Sequence, residues 1–456
     1  AVLFASYDFQ TLGKISMDEL TILFIAASKG ISVMLQDGIT VADEDSEALA
    51  KTMCDGKDDC TADDLWNWLV AQVGADLETV STASVLSKFK LCKPPAEAAP
   101  AAAAVGEEVW KKIDEIKAAP PDNRCTKYLT REYYDTLAAE DQPTFMRCVQ
   151  TGIDNEDSGL GCYAMKPADY TTFAPFFDQV IKDYHNGTDE SVHTTDWDIS
   201  GVGEAGVLDV TKLGLDELSM RVRVGRNLLA FNLPGLMDQA ERIQFEKTLM
   251  PAFEKIKEAM GGAVYSLSPD WGEGEVNPNL IDDAKYQELV KAHVMFKDMD
   301  ADPFLKSAGI SSDWPYGRGC WQSDDKECII WFGEEDQLRI MSMKTGTCLN
   351  EVFNKLKVLL DTFESIDGIE FAKNDKYGYV ASCPSNLGTG MRASVHIKVP
   401  NLTSDGTDTK AKEICGPLGL SVRGTGGEHT PIGADGTIDL SPRARLFIKE
   451  SEIVAK

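Results

Sequence analysis

Two stretches of this chain alternate cationic and apolar residues one by one, and that alternation restricts both to β-strands. In Leu218-Ser-Met-Arg-Val-Arg-Val224, Ser219, Arg221 and Arg223 fall on one side and Leu218, Met220, Val222 and Val224 on the other. In Met391-Arg-Ala-Ser-Val-His-Ile-Lys-Val399, Arg392, Ser394, His396 and Lys398 oppose Ala393, Val395, Ile397 and Val399. Successive side chains of a strand point to opposite faces, so each stretch has one side fit for a core and one cationic side. A solvated outer face is the ordinary explanation of such a pattern. The charge balance argues against it here. The 456 residues include 74 acidic and 45 basic side chains, a net charge of −29. An acidic chain that gathers arginine onto two strand faces has a use for it. Arginine binds phosphate oxygens in pairs and keeps its charge when dehydrated, which points to a polyphosphate pocket. Arg339 in Gly333-Glu-Glu-Asp-Gln-Leu-Arg-Ile340 and Arg423 in Val422-Arg-Gly-Thr-Gly-Gly-Glu-His429 extend the set.

The same net charge repels nucleic acid and anionic membrane, so neither is expected as a partner. No apolar run reaches the ~18 residues of a membrane span. No secretory signal is evident. The eleven cysteines include no CxxC pair, which fits reduced thiols and a cytoplasmic chain.

The chain divides by composition. Residues 1–92 contain no arginine, the first being Arg124. Residues 93–107 hold Pro94, Pro95 and Pro100 among alanines, the composition of an extended linker. Beyond it, Trp110, Ile113 and Ile116 recur at helical period, as do Phe173, Phe176, Phe177 and Ile181, so residues 108–195 read as an α-helical domain. Residues 196–456 mix short alternating strands with helices such as 239–260 and 349–363. The expected fold class is α+β: a small all-α domain, then a larger domain with an antiparallel sheet flanked by helices.

Two loops suggest chemistry. The glycine-rich run after Arg423 places Glu428 beside arginines and is fit to close over a ligand. A glutamate among arginines implies a cationic group on the substrate. In Ser382-Cys-Pro-Ser-Asn-Leu-Gly-Thr-Gly390, Ser385 can bond the Cys383 sulfur, and nearby cations are expected to depress the thiol pKa.

Together these segments resemble the ATP:guanido phosphotransferases, the phosphagen kinases. Cys383-Pro-Ser-Asn-Leu-Gly-Thr389 matches that family's signature, and segments 219–223, 334–339, 392–396 and 423–429 match in the family's order. The resemblance covers about residues 108–456 and is strongest to arginine kinases, whose substrate-specificity loop Asp157-Ser-Gly-Leu-Gly-Cys-Tyr-Ala164 resembles. It implies reversible phosphoryl transfer from MgATP to the guanidino group of L-arginine. It implies that Arg221, Arg223, Arg339, Arg392 and Arg423 clamp the nucleotide phosphates, with Ser219, His293, Ser394 and His396 also on the nucleotide. Glu335, Glu428 and Cys383 would surround the guanidinium, with Cys383 as a thiolate. Ser158, Gly159, Leu160, Gly161 and Tyr163 would hold the amino-acid end, and Glu334 would act on Mg²⁺ through water. Two positions depart from the arginine-kinase pattern. Gly426 stands where many have arginine, and the family arginine expected near residues 301–304, partner of the residue matching Asp157, is absent. Taurocyamine, glycocyamine and creatine are the alternative acceptors. A kinase fold retained as a structural component of a cytoskeletal or ciliary assembly is the alternative from another class.

Gly201-Val-Gly-Glu-Ala-Gly206 spells a dinucleotide fingerprint, but it follows no apolar strand and opens no helical pattern, so it reads as a loop. Asp8 to Glu19 resembles an EF-hand loop with Gly13 at position 6 and Ile15 at position 8. Leu12 at position 5 removes an oxygen ligand. Residues 53–64 read as a decayed partner loop. Residues 1–92 are therefore expected to be a degenerate EF-hand-like helical pair serving attachment to a protein partner, with the cytoskeleton or a cilium as the candidate location.

Overall fold

The structure is a computed structural model that describes residues 14–16, 59–61, 105–120, 122–272, 274–425, 432–433 and 435–456. The chain separates into two units, residues 1–104 and 105–456. In the first, β1 (Lys14–Ser16) pairs antiparallel with β2 (Asp59–Thr61), with Ile15 opposite Cys60. The rest of the EF-hand-like reading lies outside the described residues.

The second unit begins with six helices: α1 (Glu107–Ala118), α2 (Arg124–Tyr128), α3 (Arg131–Thr136), α4 (Gln142–Asp154), α5 (Asp169–Thr172) and α6 (Ala174–His185). The helical period has the predicted consequence. Trp110, Ile113 and Ile116 of α1 are buried, as are Phe173, Phe176, Phe177 and Ile181 at α6. Phe145 of α4 packs edge-on against Phe176 at 5.2 Å. Polar side chains stop the chain entering helices early: Asn123 accepts from Thr126 N and Thr130 from Tyr133 N, satisfying otherwise unpaired amides.

Next in the chain come β3 (Leu218–Arg226), α7 (Gln239–Met260), β4 (Ala263–Ser266), α8 (Asp283–Lys291), α9 (Pro303–Ser307), β5 (Gly319–Gln322), β6 (Cys328–Phe332), β7 (Leu338–Gly346) and α10 (Leu349–Glu364). The small hairpin β8 (Lys373–Asn374) and β9 (Gly378–Tyr379), then β10 (Met391–Lys398), α11 (Thr409–Cys415), β11 (Leu420–Arg423), β12 (Thr437–Pro442) and α12 (Glu450–Ala455) complete it. Eight strands form one antiparallel sheet in the order β11-β12-β10-β3-β7-β6-β5-β4. One face of it is apolar. Met220, Val222 and Val224 of β3 pack in a single cluster with Leu249 and Phe253 of α7 and Val352, Leu356, Leu359 and Phe363 of α10. The α10 residues recur every three or four positions, so one stripe of that helix meets the sheet.

A second cluster joins the helical part to the signature loop, with Cys148, Tyr163, Tyr170 and Phe177 packed with Cys383 and Leu387. Polar contacts tie the same parts. Ala164 N donates to Ser382 O at 2.8 Å, and Tyr170 Oη to Ala381 O at 2.7 Å. Where the family pattern has an arginine, residues 301–304 are Ala-Asp-Pro-Phe, and Lys306 beyond them pairs with Asp300. Neutral bonds cross there instead: Asn155 Nδ2 to Ser307 Oγ at 3.0 Å and Thr151 Oγ1 to Phe304 O at 3.4 Å. The GxGxxG stretch is a loop with left-handed backbone at Gly203, Ala205 and Gly206. Among the described residues, no helix is long and apolar enough to cross a membrane.

Candidate active site

The face of the sheet opposite α7 and α10 carries the arginines. Strand alternation and register place them in rows. Arg392 lies directly opposite Arg223, and Ser394 opposite Arg221. A second row crosses four strands: Arg423 opposite Asp439, Asp439 opposite His396, and His396 opposite Ser219. Arg339 on β7 faces Gly225, two residues beyond Arg223 and so on the same face. Like charges directly opposite one another destabilise a sheet. Burial compounds this. The Arg223 guanidinium is pushed well below its ordinary pKa, first by burial and then by Arg339, Arg221, Arg392 and Arg445. Arg392 falls to about 10 by burial, opposed by Asp439 and helped by Arg423, Arg221 and Arg445. Such a cluster is a standing electrostatic cost that an anion with several charges removes.

One carboxylate orders it. Asp439, only 3% exposed, pairs with Arg392, and His396 Nε2 lies 3.4 Å from its other oxygen. Arg392 Nε also donates to Ser441 Oγ at 3.1 Å. Asp439 was not singled out in the sequence. Its signal was the alternation of Asp439 and Ser441 on a strand whose intervening residues, Ile438 and Leu440, are apolar.

The other end of the site is acidic and made of loops. Glu334, Glu335 and Asp336 form the turn between β6 and β7. Arg339 joins the two ends: its guanidinium lies 2.7 Å from Glu334 and 3.8 Å from Glu335, and stacks 5.2 Å from the Trp331 ring centre. Burial, with Asp336 and Glu334 beside it, raises the Glu335 carboxyl well above the carboxylate range, against the pull of Arg339 and Arg445. Asp336 is structural. Its Oδ1 accepts from Asn227 Nδ2 at 2.8 Å and from Ser382 N at 2.7 Å, fastening the signature loop to β3 and the acidic turn.

Cys383 is buried beside this turn, with Ser385 Oγ 3.1 Å from its sulfur as expected. The expected depression of its pKa does not follow. Burial, then Glu335, push the thiol up to about 12, and the Ser385 bonds only partly oppose this. The cationic face is on the strands, whereas the charge that acts most on this sulfur is the Glu335 carboxylate, which adds to burial. Tyr163 is 9% exposed, in the cluster that includes Cys383, and burial, then Cys383 and Glu335, push its phenol pKa up. The loop before it is fixed by its backbone: Cys125 N donates to Leu160 O, Gly152 N to Gly161 O at 2.7 Å, and Arg124 Nη1 to Gly159 O at 2.9 Å. Ser158 is buried. Gly161 has φ of +74°, and a side chain there would collide with Asn123 and Gly152.

The structure thus gathers Ser219, Arg221, Arg223, Arg339, Arg392, Ser394, His396 and Arg423 on one face, and Glu334, Glu335, Cys383 and the loop 158–163 at its end. His293 stands apart: it is exposed after α8 with φ of +58°, and makes no side-chain hydrogen bond among the described residues. Glu428 and Gly426 lie outside the described residues.

The N-terminal-domain model of the ATP:guanido phosphotransferases matches residues 121–182, and the C-terminal catalytic-domain model matches residues 245–456. This chain belongs to the phosphagen kinase family. Within that family it is similar to the arginine kinase of Schistocerca americana, at 35% identity over 356 residues, 77% of this chain and 94% of that one. Arginine kinase Oct f 2 of Amphioctopus fangsiao is 36% identical over 355 residues, 77% and 95%. Among solved structures, lombricine kinase superposes with a TM-score of 0.61 at 28% identity, covering 75% of this chain and 91% of that one. The duplicated taurocyamine kinase of Schistosoma mansoni gives 0.62 at 30% identity, covering 76% of this chain and 47% of that longer one. As a phosphagen kinase, the chain is an enzyme that transfers a phosphoryl group to a small guanidino compound. Its fold is the family's fold, with the helical part and the antiparallel sheet in the expected order.

Proposed function

We propose that this phosphagen kinase phosphorylates L-arginine with MgATP, reversibly. The observation that carries the reading is the meeting, at Arg339, of a half-buried arginine face with an acidic turn beside the Cys383 thiol, closed on one side by Tyr163 and the backbone-pinned loop 158–163. An anion and a cation therefore have adjoining seats, which a nucleoside triphosphate and a guanidinium would fill. The similarity to arginine kinases supports arginine over taurocyamine or lombricine.

Arg221, Arg223, Arg392 and Arg423 would grip the phosphates from the sheet, and Arg339 would reach them from the acidic turn. Ser219, Ser394, His396 and His293 would contact the nucleotide. Magnesium bound to the nucleotide would supply neutralisation of phosphate charge, and Glu334 would hold that ion through water. Glu335 would hydrogen-bond the guanidinium and aim one nitrogen at the γ-phosphorus, with Glu428 as the second carboxylate that the family resemblance implies. A guanidinium has a pKa above ~12, so the nitrogen must shed a proton as it attacks. The raised proton affinity of Glu335 makes its carboxylate a better acceptor than an ordinary glutamate. Alignment is expected to contribute more: positioning alone can supply ~7–11 kcal/mol. Donors fixed on strands stabilise the charge of the transferring phosphoryl without reorganising. A guanidinium against the Cys383 sulfur would reverse the electrostatic balance there and favour the thiolate, as an opposite charge at contact does.

Residues 1–92 are proposed to tether the kinase to a protein partner as an EF-hand-like pair with little or no calcium binding. The antiparallel pairing of Ile15 with Cys60 supports this, because each is the eighth residue of its twelve-residue loop, 8–19 and 53–64. Micromolar Ca²⁺ binding by calorimetry would refute it. ADP formation from MgATP with L-arginine, taurocyamine, lombricine, glycocyamine and creatine in parallel tests the acceptor. Turnover with arginine far above the others is expected; preference for another acceptor overturns the assignment while leaving the family activity in place.

A further inference from the structure

Arg445, in the loop between β12 and α12, is a half-buried arginine for which the phosphate clamp has no assigned place. We infer that Arg445 is a positioning residue that sets the orientation of the Asn386 side-chain amide, and through it holds Glu335 in place against the acceptor guanidinium.

The argument is one of donor and acceptor inventory. Arg445 Nη1 donates to Asn386 Oδ1 at 2.8 Å and lies 3.4 Å from Ser385 O. Asn386 Nδ2 in turn donates to Glu335 Oε2 at 3.4 Å. A side-chain amide can turn over, exchanging its oxygen and nitrogen ends. Arginine has donors and no acceptor, so it accepts only the oxygen end as neighbour. The nitrogen end must then face Glu335. Turned over, Asn386 would present its oxygen to a carboxylate and repel it. Arg445 also clasps the far side of the signature loop. Its own carbonyl accepts from Thr389 N at 3.0 Å and from Thr389 Oγ1 at 2.9 Å. Gly388 passes so close that a Cβ would come within 2.7 Å of that same carbonyl. One residue therefore grips the loop at Ser385, Asn386 and Thr389, on both sides of the stretch between Cys383 and the start of β10. Its bonded acceptors are neutral, although it lies near the arginine cluster. The charge is used at a distance, countering the burial that favours protonated Glu335.

The inference rests on the guanidino-acceptor chemistry above, and the two fail separately. The wild-type enzyme across the acceptor panel tests the acceptor. The variants, assayed on whichever acceptor turns over, test the relay. Arg445→Gln, which can both donate and accept, no longer dictates the amide orientation. It is expected to cut kcat/KM for the acceptor by about a hundredfold, the loss typical of misplacing a reacting group. The dissociation constant of MgADP should stay within about twofold. Arg445→Lys, still donor-only, should recover most of the loss. Asn386→Ala should match Arg445→Gln, and the double variant should be no worse than either single one. Additive losses would overturn the relay. So would an Arg445→Gln enzyme that weakens MgADP binding tenfold and leaves the acceptor KM unchanged, since that makes Arg445 a sixth phosphate ligand. Should Arg445→Gln not fold, the same cycle is run with Arg445→Lys and Asn386→Ala, where a fully active Asn386→Ala enzyme sinks the idea.

Discussion

The cationic end of the site, where we place the phosphates, lies on strands, whereas the acidic end, where we place the guanidinium, lies on loops. The two ends also hold opposite charge. On the strands, geometry is inherited from the sheet: once β3 and β10 pair, Arg223 faces Arg392 and Arg221 faces Ser394 with no further instruction. On the loops, each group needs its own fastening. Asp336 fixes Ser382, Arg445 fixes Asn386, and Ala164 fixes the specificity loop to the signature loop. The strand end should therefore fail through lost charge, and the loop end through lost geometry.

The largest effect is expected at the strand end. Burial, and then the charges of Arg339, Arg221, Arg392 and Arg445, disfavour the Arg223 guanidinium. Arg223→Met should lower kcat by about a thousandfold, the scale on which an arginine at a transferring phosphoryl acts. The folded apo protein should become more stable, because a buried like-charge contact is gone. Thermal melts and turnover measured on one preparation check both signs. A variant that loses activity and stability together would mean that Arg223 also holds the sheet, and the contrast between the ends would collapse.

At the loop end, Glu335→Gln keeps the shape and removes the charge. The expected loss in kcat is about a hundredfold, in the range for a group that aligns and accepts a proton. The acceptor KM should rise and the MgADP dissociation constant should not. Equal weakening of both ligands would show that Arg339, caught between Glu334 and Glu335, transmits the change to the phosphates. Cys383→Ser should do less, about tenfold in kcat/KM, since the sulfur contributes charge only when a guanidinium favours the thiolate. Added chloride is expected to restore part of that loss by lending an anion to the cavity. Full activity at every salt concentration would remove Cys383 from the site.

The same contrast explains what could be read in the sequence. Period-2 alternation announced β3 and β10 together with the face each presents, and the helical period announced α1, α6, α7 and α10. These signals are local. Asp439 was legible only in part: its strand alternates, but a single carboxylate opposite His396 is visible only after β12 has paired with β10. Arg445 gave no local signal and Asn386 was read only as part of the signature run, because their meeting depends on a loop returning 59 residues later. Cys383 shows the limit in energetic terms. The motif identified the residue, but the sign of its pKa shift depends on whether cation or carboxylate lies nearer, and burial and Glu335 decide that.

The smallest predicted effect supplies a control outside both ends. His193 is buried under Gly378, and neither ring nitrogen has a hydrogen-bond partner among the described residues. Burial, and secondarily Arg226, lower its pKa from 6.5 to about 4. Above about pH 6.5 the imidazole is neutral whether the chain is folded or not. As pH falls toward 4, the unfolded chain takes up a proton that the folded chain refuses, so stability drops across that window and levels off below it. With allowance for partial solvent screening, the drop attributable to this residue should be about 1–2 kcal/mol. His193→Gln should flatten that part of a urea-denaturation pH series by the same amount. The flattening should persist with saturating MgADP, because no nucleotide group is expected to reach this ring. If nucleotide abolished the His193 slope, the ring would be coupled to the phosphate end, and the separation of the site from its surroundings would have to be redrawn through Arg226, whose guanidinium lies 3.5 Å from the Tyr379 ring centre and bonds Thr389 O.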